Sequence, residues 1–554
     1  MFRFENYGKK MIKYRTVILL CFCALMTTSC GQDLGGADEP ANQAVPERNE
    51  NTFGPIEVVP GVSVGGIEIG MSLDELKAIL GDPDTEFGFQ RLITLRFNAA
   101  KLEVLLTSSE PSVASADARV RGVTTLGNTV LSGDLIRGVE RTVLEAQFGA
   151  ATMESRGILY FVEDGLSVEM DADNRAIRYS VWPAYFLEKE IPPMVAAKTQ
   201  MGEPRIEDES VELPRFEYEG DVYTVVDMHL HVGKKETQKP TGLEFLLSQL
   251  PAMSLMTFPA VSGLVVHPYG EHVGIKEHLR AAGVAYGVLL ATYTQHTIGV
   301  TENQLVESQL ADPRNVNPDG SQWAWGMASI NLDDFDSPEV MERRLEILES
   351  YFEKRPDLFV GIKLAHAHQA VGFDDPLYLG VYDVAAKYGV PVLLHTGFSP
   401  FPNSMTDPHY YDPATLEAVI TAYNGQNGKG YVDFVLAHAG QGDARAIESS
   451  LQLAQTRDNV WLEISAINRP LLIDENGQPV ESTEPMHTYV LGEIKNRGIV
   501  GKTMFATDGP QYFGKVQSYL KLMVSTMKSV GYTPEEIQAV LADNFFNCYL
   551  PFGK

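Results

Sequence analysis

A chain of 554 residues exceeds one ordinary domain, and a hydrophobic content of 44% is enough for a globular core. Its 73 acids against 44 bases leave a formal net charge of −29, which argues against any nucleic-acid role. The acidity says little about substrate, because a charge excess usually coats a solvated surface.

Residues 1–30 read as an export signal. Arg3, Lys9, Lys10, Lys13 and Arg15 precede the apolar run from Val17 to Met26, which is too short to span a bilayer. The stretch Thr27-Thr28-Ser29-Cys30-Gly31 resembles a bacterial lipoprotein signal, with Cys30 as the lipid acceptor. Thr27 stands where a leucine is common, and an ordinary secretory signal is the alternative. Gly31 supplies no inner-membrane retention signal of the aspartate kind, so the expected location is the outer membrane of a bacterial envelope. Cys21 and Cys23 leave with the signal, so Cys548 stands alone in the folded part and no internal disulfide is expected. Residues 31–53 are Gly, Asp, Glu, Pro, Asn and Gln with few apolar side chains, the composition of a flexible tether.

Residues 54–185 read as a small α+β domain with an internal repeat. Ser72 with Glu75 forms a capping-box pattern, and the helix it opens ends at Gly81. Short strands follow at Leu95–Phe97 and Leu102–Leu105. The order recurs with a helix from Val139 to Phe148, then Leu159–Phe161 and Leu166–Met170, which makes Phe97 and Phe161, and Val104 and Val168, equivalent positions. The unit contains no histidine. It resembles, weakly, the helix-on-sheet modules of envelope lipoproteins, which implies a protein partner rather than chemistry. Residues 186–220, rich in Glu, Lys and Pro, read as a linker.

From 221 to 554 the pattern alternates between strands and helices. Strands are expected at 223–229, 285–292, 325–331, 358–364, 391–395, 433–438, 460–465 and 503–507. Helical patterns run from Glu339 to Phe352, Leu377 to Tyr388, Ala444 to Ala454 and Val516 to Met527, and Thr533-Pro534-Glu535-Glu536 opens a last helix. Eight apolar strands with intervening helices predict a (β/α)₈ TIM-like barrel beside the smaller α+β domain; a doubly wound open sheet is the runner-up.

The chemistry gathers at the strand ends. In Val225-Val226-Asp227-Met228-His229-Leu230-His231 the two histidines are two residues apart, so on a strand they project together and can share a metal. The plainer reading is two polar residues at a strand end. Strand four ends in Gly361-Ile362-Lys363, strand five in His395-Thr396-Gly397, strand six in His438-Ala439-Gly440 and strand eight in Thr507-Asp508-Gly509-Pro510. In a barrel all of these meet at one mouth. Singly, His395 and His438 could equally be strand-end histidines satisfied by hydrogen bonds. His366 and His368 read as loop or rim residues, and nothing places His296, Trp323 or Trp325 at a pocket.

Together these motifs resemble the amidohydrolase superfamily over about residues 221–551, in the branch that contains both hydrolases and non-oxidative decarboxylases. The resemblance implies His229, His231 and His395 as metal ligands and Asp508 as the carboxylate that takes a proton from water. It implies His438 as a further ligand or an orienting group. It also implies Lys363 as a metal ligand only if carboxylated in a binuclear site. The expected cofactor is one divalent ion, zinc, with a second only in that binuclear case. Ala506-Thr507 and Gly509 depart from the family pattern, and long insertions after His231 and around Pro400–Asp412 would remodel the pocket, so the substrate does not transfer. The leading expectation is a metal-dependent hydrolase of a small-molecule amide, ester or lactone. A decarboxylase on the same site and an inactive envelope binding protein are the alternatives.

Overall fold

The structure, a computed structural model, describes residues 54–89, 92–109, 114–126, 129–155, 157–186, 212–233, 237, 239, 272–317, 319–332, 337–482, 484–509 and 515–550. The expected signal with Cys30, the tether and most of the linker lie outside the described residues, as does Pro510. No described helix is long and apolar enough to cross a membrane. The described residues fall into two compact units, one within 54–186 and one within 212–550.

The N-terminal unit carries the repeat as two halves of one antiparallel sheet. Its order is Thr85–Phe89, Leu92–Phe97, Leu102–Thr107 and Arg119–Thr125, then Ala176–Val181, Leu166–Met170, Ile158–Phe161 and Met153–Ser155. The last strands of the two halves pair through Thr124 with Ser180 and Val123 with Val181. One helix precedes each half, Leu73–Leu80 and Arg141–Phe148. Ser72 caps the first through the reciprocal box with Glu75. The two helices close over a core that includes Val104, Leu144, Leu159 and Val168.

In the second unit, Phe216–Tyr218, in the stretch that reads as linker, forms a hairpin with Asp221–Tyr223, and strand one begins after it. Three alternating residues are too short a run to register as a strand. Glu219 and Gly220 turn it, both at positive φ, as a two-residue hairpin turn requires.

Eight parallel strands then form the barrel in strict chain order: Val226–His231, Tyr286–Leu290, Ala324–Ala328, Phe359–Leu364, Val392–His395, Phe434–Ala437, Val460–Glu463 and Thr503–Met504. Between strands eight and one, Leu230 bridges Gly509 and the His231 N–H donates to the Gly509 carbonyl at 2.8 Å. The helices Pro338–Lys354, Pro376–Tyr388, Ala444–Thr456 and Lys515–Ser529 bury one face each against the outside of the sheet. The interior is a separate cluster of Val226, Met228, Leu290, Met327, Leu393, Val435 and Met504. Phe545 and Tyr549 of the last helix, Asn544–Tyr549, plug its N-terminal end. Each such side chain contributes about 1.5–3 kcal/mol by leaving water. Closing that end leaves the C-terminal end of the strands for the polar groups.

Candidate metal centre

Simple alternation carries most of the polar residues inward. Leu393 and His395, Trp461 and Glu463, and Met504, Ala506 and Asp508 are each spaced by two along their strands, with the apolar member in the interior cluster. Strand one differs. Its pairing with strand two slips between Asp227 and Leu230, a β-bulge, so Met228 packs inside while its neighbour His229 also reaches the site. His231 follows two residues later on the same side.

The loops after strands five and six pack backbone on backbone. A Cβ at Gly397 would collide with the main chain of Gly440 and Gln441, and one at Gly440 with that of Ala446, which is why each histidine motif ends in glycine. Thr396 Oγ1 ties the two loops, donating to the Ala437 carbonyl at 2.6 Å and accepting from the Gly440 N–H at 3.1 Å. His438 and Asp508 themselves stand at φ 65° and 53°, a left-handed backbone rare outside glycine and typical of functional sites.

At the mouth, His231 Nε2 lies 3.0 Å from Asp508 Oδ1, and His229 Nε2 lies 3.4 Å from the same oxygen. Lys363 Nζ is 3.4 Å from His229 Nε2. One ligand atom from each of His229, His231 and Asp508 falls within 4.8 Å of the others. Ligands about 2.1 Å from a tetrahedral zinc stand roughly 3.4 Å apart, so this spacing suits a divalent cation. His395 Nε2, buried and without a hydrogen-bond partner among the described residues, adds a third nitrogen lining the same pocket.

Glu463, at the end of strand seven, was not among the expected site residues. It is fully buried and collects four groups. Its Oε2 lies 3.1 Å from His229 Nδ1 and accepts from the His438 N–H at 3.3 Å and the Ser465 hydroxyl at 3.1 Å; its Oε1 accepts from the Ser465 N–H. The hydrogen-bond network then orders the ring protons. His229 donates from Nδ1 to Glu463, which leaves its Nε2 lone pair at the mouth. Ser465 donates to Glu463 and so accepts from His438 Nδ1, at 2.7 Å. His438 Nε2 then accepts from His395 Nδ1 at 3.1 Å, and His395 Nε2 is left as a lone pair facing the pocket. One buried carboxylate thereby orients three rings. A second grouping, His229 with His438 and Glu463, is consumed by these mutual bonds.

Burial sets the charge states. It drives the His229 and His395 imidazoles well below their ordinary range and His438 down to about 3, so all three are neutral, and His229 and His395 keep a lone pair able to coordinate. Burial also lowers Lys363 to about 8. For Asp508 burial works upward, but the bond from His231 and the charge of Lys515 outweigh it and hold the carboxyl well below the usual range. Lys515 Nζ also donates to the Asp508 carbonyl at 2.8 Å. Asp227 accepts from the Thr507 N–H at 3.0 Å and hydroxyl at 2.6 Å, which fixes the residue before Asp508.

His229, His231, Lys363, His395, His438 and Asp508 therefore line one pocket. His368 lines it too, its ring 4.8 Å from that of His395, and its Nδ1 is hydrogen-bonded to Thr297 Oγ1 at 2.8 Å. His366 turns the other way, against Phe373 and Tyr378. The two histidines sit on a helical turn, His366–Gln369, where residues two apart face apart. The hairpin of Thr292–Thr294 with Gly299–Thr301 supplies another wall through Thr292, Thr294 and Ile298. His296 is exposed, Trp323 packs on the outside of the barrel and Trp325 lies in its interior beside Tyr286 and Phe546. None of the three lines the pocket.

Residues 340–544, from the helix before strand four to the last helix, match the family model described as amidohydrolase. Over this segment the chain is similar to the amidohydrolase family. It contains Lys363, His395, His438, Glu463 and Asp508, while His229 and His231 precede it. No curated protein matches the chain. Among solved structures, an uncharacterised TIM-barrel protein from Bordetella bronchiseptica is 13% identical, over 60% of this chain and 100% of that one, with a TM-score of 0.41. A dihydroxybenzoic acid decarboxylase from a Polaromonas species, with bound manganese and 2-nitroresorcinol, is 13% identical over 59% and 97%, with a TM-score of 0.39. A putative 2-pyrone-4,6-dicarboxylic acid hydrolase from Pseudomonas putida is 19% identical over 60% and 99%, with a TM-score of 0.35.

Proposed function

We propose that the protein is a metal-dependent hydrolase in which water attacks an amide, ester or lactone of a small molecule. The observation that carries this reading is the meeting of His229, His231 and Asp508 at the barrel mouth, with the free Nε2 of His395 in the same pocket. Three imidazoles and one carboxylate suit zinc, which would serve as a Lewis acid toward water and the substrate carbonyl. Lys363, as a free amine, fits a single ion.

The chain's own groups do the rest. Asp508, held ionised, accepts a proton from the attacking water at Oδ1 and returns it to the leaving group. Lys363 Nζ, positive near neutral pH, steadies negative charge that develops on the substrate oxygen. Glu463, Ser465 and His438 keep the His229 and His395 lone pairs aimed at the mouth. The Cys30 lipid would hold this activity at the outer membrane; membrane partitioning that is unchanged in Cys30→Ala would rule the anchor out.

The test is metal analysis of the purified protein, followed by a screen of amides, lactones and aromatic acids. Hydrolysis that needs the bound cation supports the reading. Release of carbon dioxide without hydrolysis would replace it with decarboxylation, and a loaded protein without turnover would leave only binding.

A further inference from the structure

The pocket extends past the histidine cluster to a wall built from two loops. The loop after strand six carries Gln441, and the loop after strand seven carries Arg469. They are stitched together: the Leu472 and Ile473 N–H groups both donate to the Gly442 carbonyl, at 2.9 and 3.0 Å, and the Ala444 N–H donates to the Ile473 carbonyl at 3.0 Å. Arg469 is pinned at its backbone, its N–H donating to Ala466 at 3.2 Å and its carbonyl accepting from Met486 at 3.1 Å.

Both side chains have capacity to spare. Arg469 is half-buried at the pocket and makes no ion pair or side-chain hydrogen bond among the described residues. The Gln441 side chain is 5% exposed, and its Oε1 has no hydrogen-bond partner there. The two side chains line the same pocket, where the Arg469 guanidinium and the Gln441 Nε2 can each donate to an acceptor, while the buried Gln441 Oε1 is itself an acceptor. Asp508, the one acid lining the pocket among the described residues, is already engaged by His231 and His229. The group left to be bound on this wall is an anion, and a guanidinium matches a carboxylate in shape as well as charge. Ile298 and Phe401 give the same pocket apolar surface for the body that carries it.

We propose that Arg469 and Gln441 form a carboxylate subsite that anchors a small organic acid by a group that does not react, beside the centre at which hydrolysis is proposed. The subsite rests on that reading for its role but not for its existence, since neither residue belongs to the candidate metal centre.

Benzoate and its neutral isostere benzamide separate the two questions. Their binding to the full-length protein is measured by calorimetry, with metal content determined on the same samples. The wild type should bind benzoate in preference to benzamide. Arg469→Met should lose roughly tenfold or more of benzoate affinity, the effect of removing a charge-assisted pair, while benzamide binding and metal content stay unchanged. Arg469→Lys should fall between them, because it keeps the charge without the fork, and this milder variant guards against misfolding. Gln441→Leu should weaken benzoate by a smaller factor. Benzoate affinity equal in wild type and Arg469→Met, or no benzoate binding by the wild type, would overturn the subsite. So would a loss in His229→Ala that is absent in Arg469→Met, since the carboxylate would then sit on the histidines. If the protein holds no cation yet Arg469 still discriminates benzoate from benzamide, the hydrolase reading fails and the subsite stands.

Discussion

Glu463 Oε2 lies 3.1 Å from His229 Nδ1, and both side chains are shut away from solvent. The contact joins strand seven to strand one across the barrel. It is the first link in the ordering of protons that leaves His229 and His395 with lone pairs at the mouth. An amide cannot replace this carboxylate, because one of its two ends donates where Glu463 only accepts. Glu463→Gln should therefore fold but bind a divalent cation about 10–100-fold more weakly, read by equilibrium dialysis. Equal affinity would mean that the histidines orient themselves.

Asp508 has a different role and should fail differently. Asparagine is nearly the same shape and can still meet His231, but it cannot take a proton. Asp508→Asn should keep much of the bound cation while turnover falls by about 10²–10⁴-fold. Loss of cation in parallel with turnover would make Asp508 a ligand above all.

His366 allows a stability test away from the mouth. Burial between Phe373 and Tyr378 lowers it from 6.5 to about 3, against one hydrogen bond to the Val371 carbonyl that works upward. Between those two values the unfolded chain binds a proton that the folded protein refuses, so stability falls as pH falls through this window. His366→Asn removes that contribution. In urea unfolding between pH 6 and pH 4, wild type should lose about 1.4 kcal/mol more per pH unit than the variant. Parallel curves would place the acid sensitivity elsewhere.

Much of the site was legible because it obeys period two. His229 with His231, His395 after Leu393, and Asp508 after Ala506 can be read from alternation and the strand ends. Glu463 could not be read this way: Val460-Trp461-Leu462-Glu463 carries one acid in no motif, and only the barrel brings it under His229. The bulge at Met228 left no mark in the sequence either, since a slipped register depends on the neighbouring strand. His366 and His368 mislead for the opposite reason. Their spacing matches that of His229 and His231, but a helical turn sends one into the core and the other to the pocket. In the N-terminal unit the repeat was legible in its order, while the joining of its halves through Val123 and Val181 was a matter of long-range pairing.

The two units draw on separate cores, one around Val104 and Val168 and the other around Leu436 and Met523. A fragment of residues 215–554 should accordingly be soluble and bind the same amount of cation per chain as the whole protein. An insoluble fragment rescued by adding 54–185 would show that the cores depend on each other.

The central claim is that one cation site is shared by His229, His231, His395 and Asp508. Metal content per chain, measured by elemental analysis of wild type, His229→Ala, His395→Ala and Lys363→Ala, tests it most directly. The account predicts one divalent ion in wild type, near-complete loss in both histidine variants and an unchanged single ion in Lys363→Ala. Wild type carrying two ions, with Lys363→Ala falling to one or none, would contradict the single-ion site, and full retention of metal in both histidine variants would contradict the site itself.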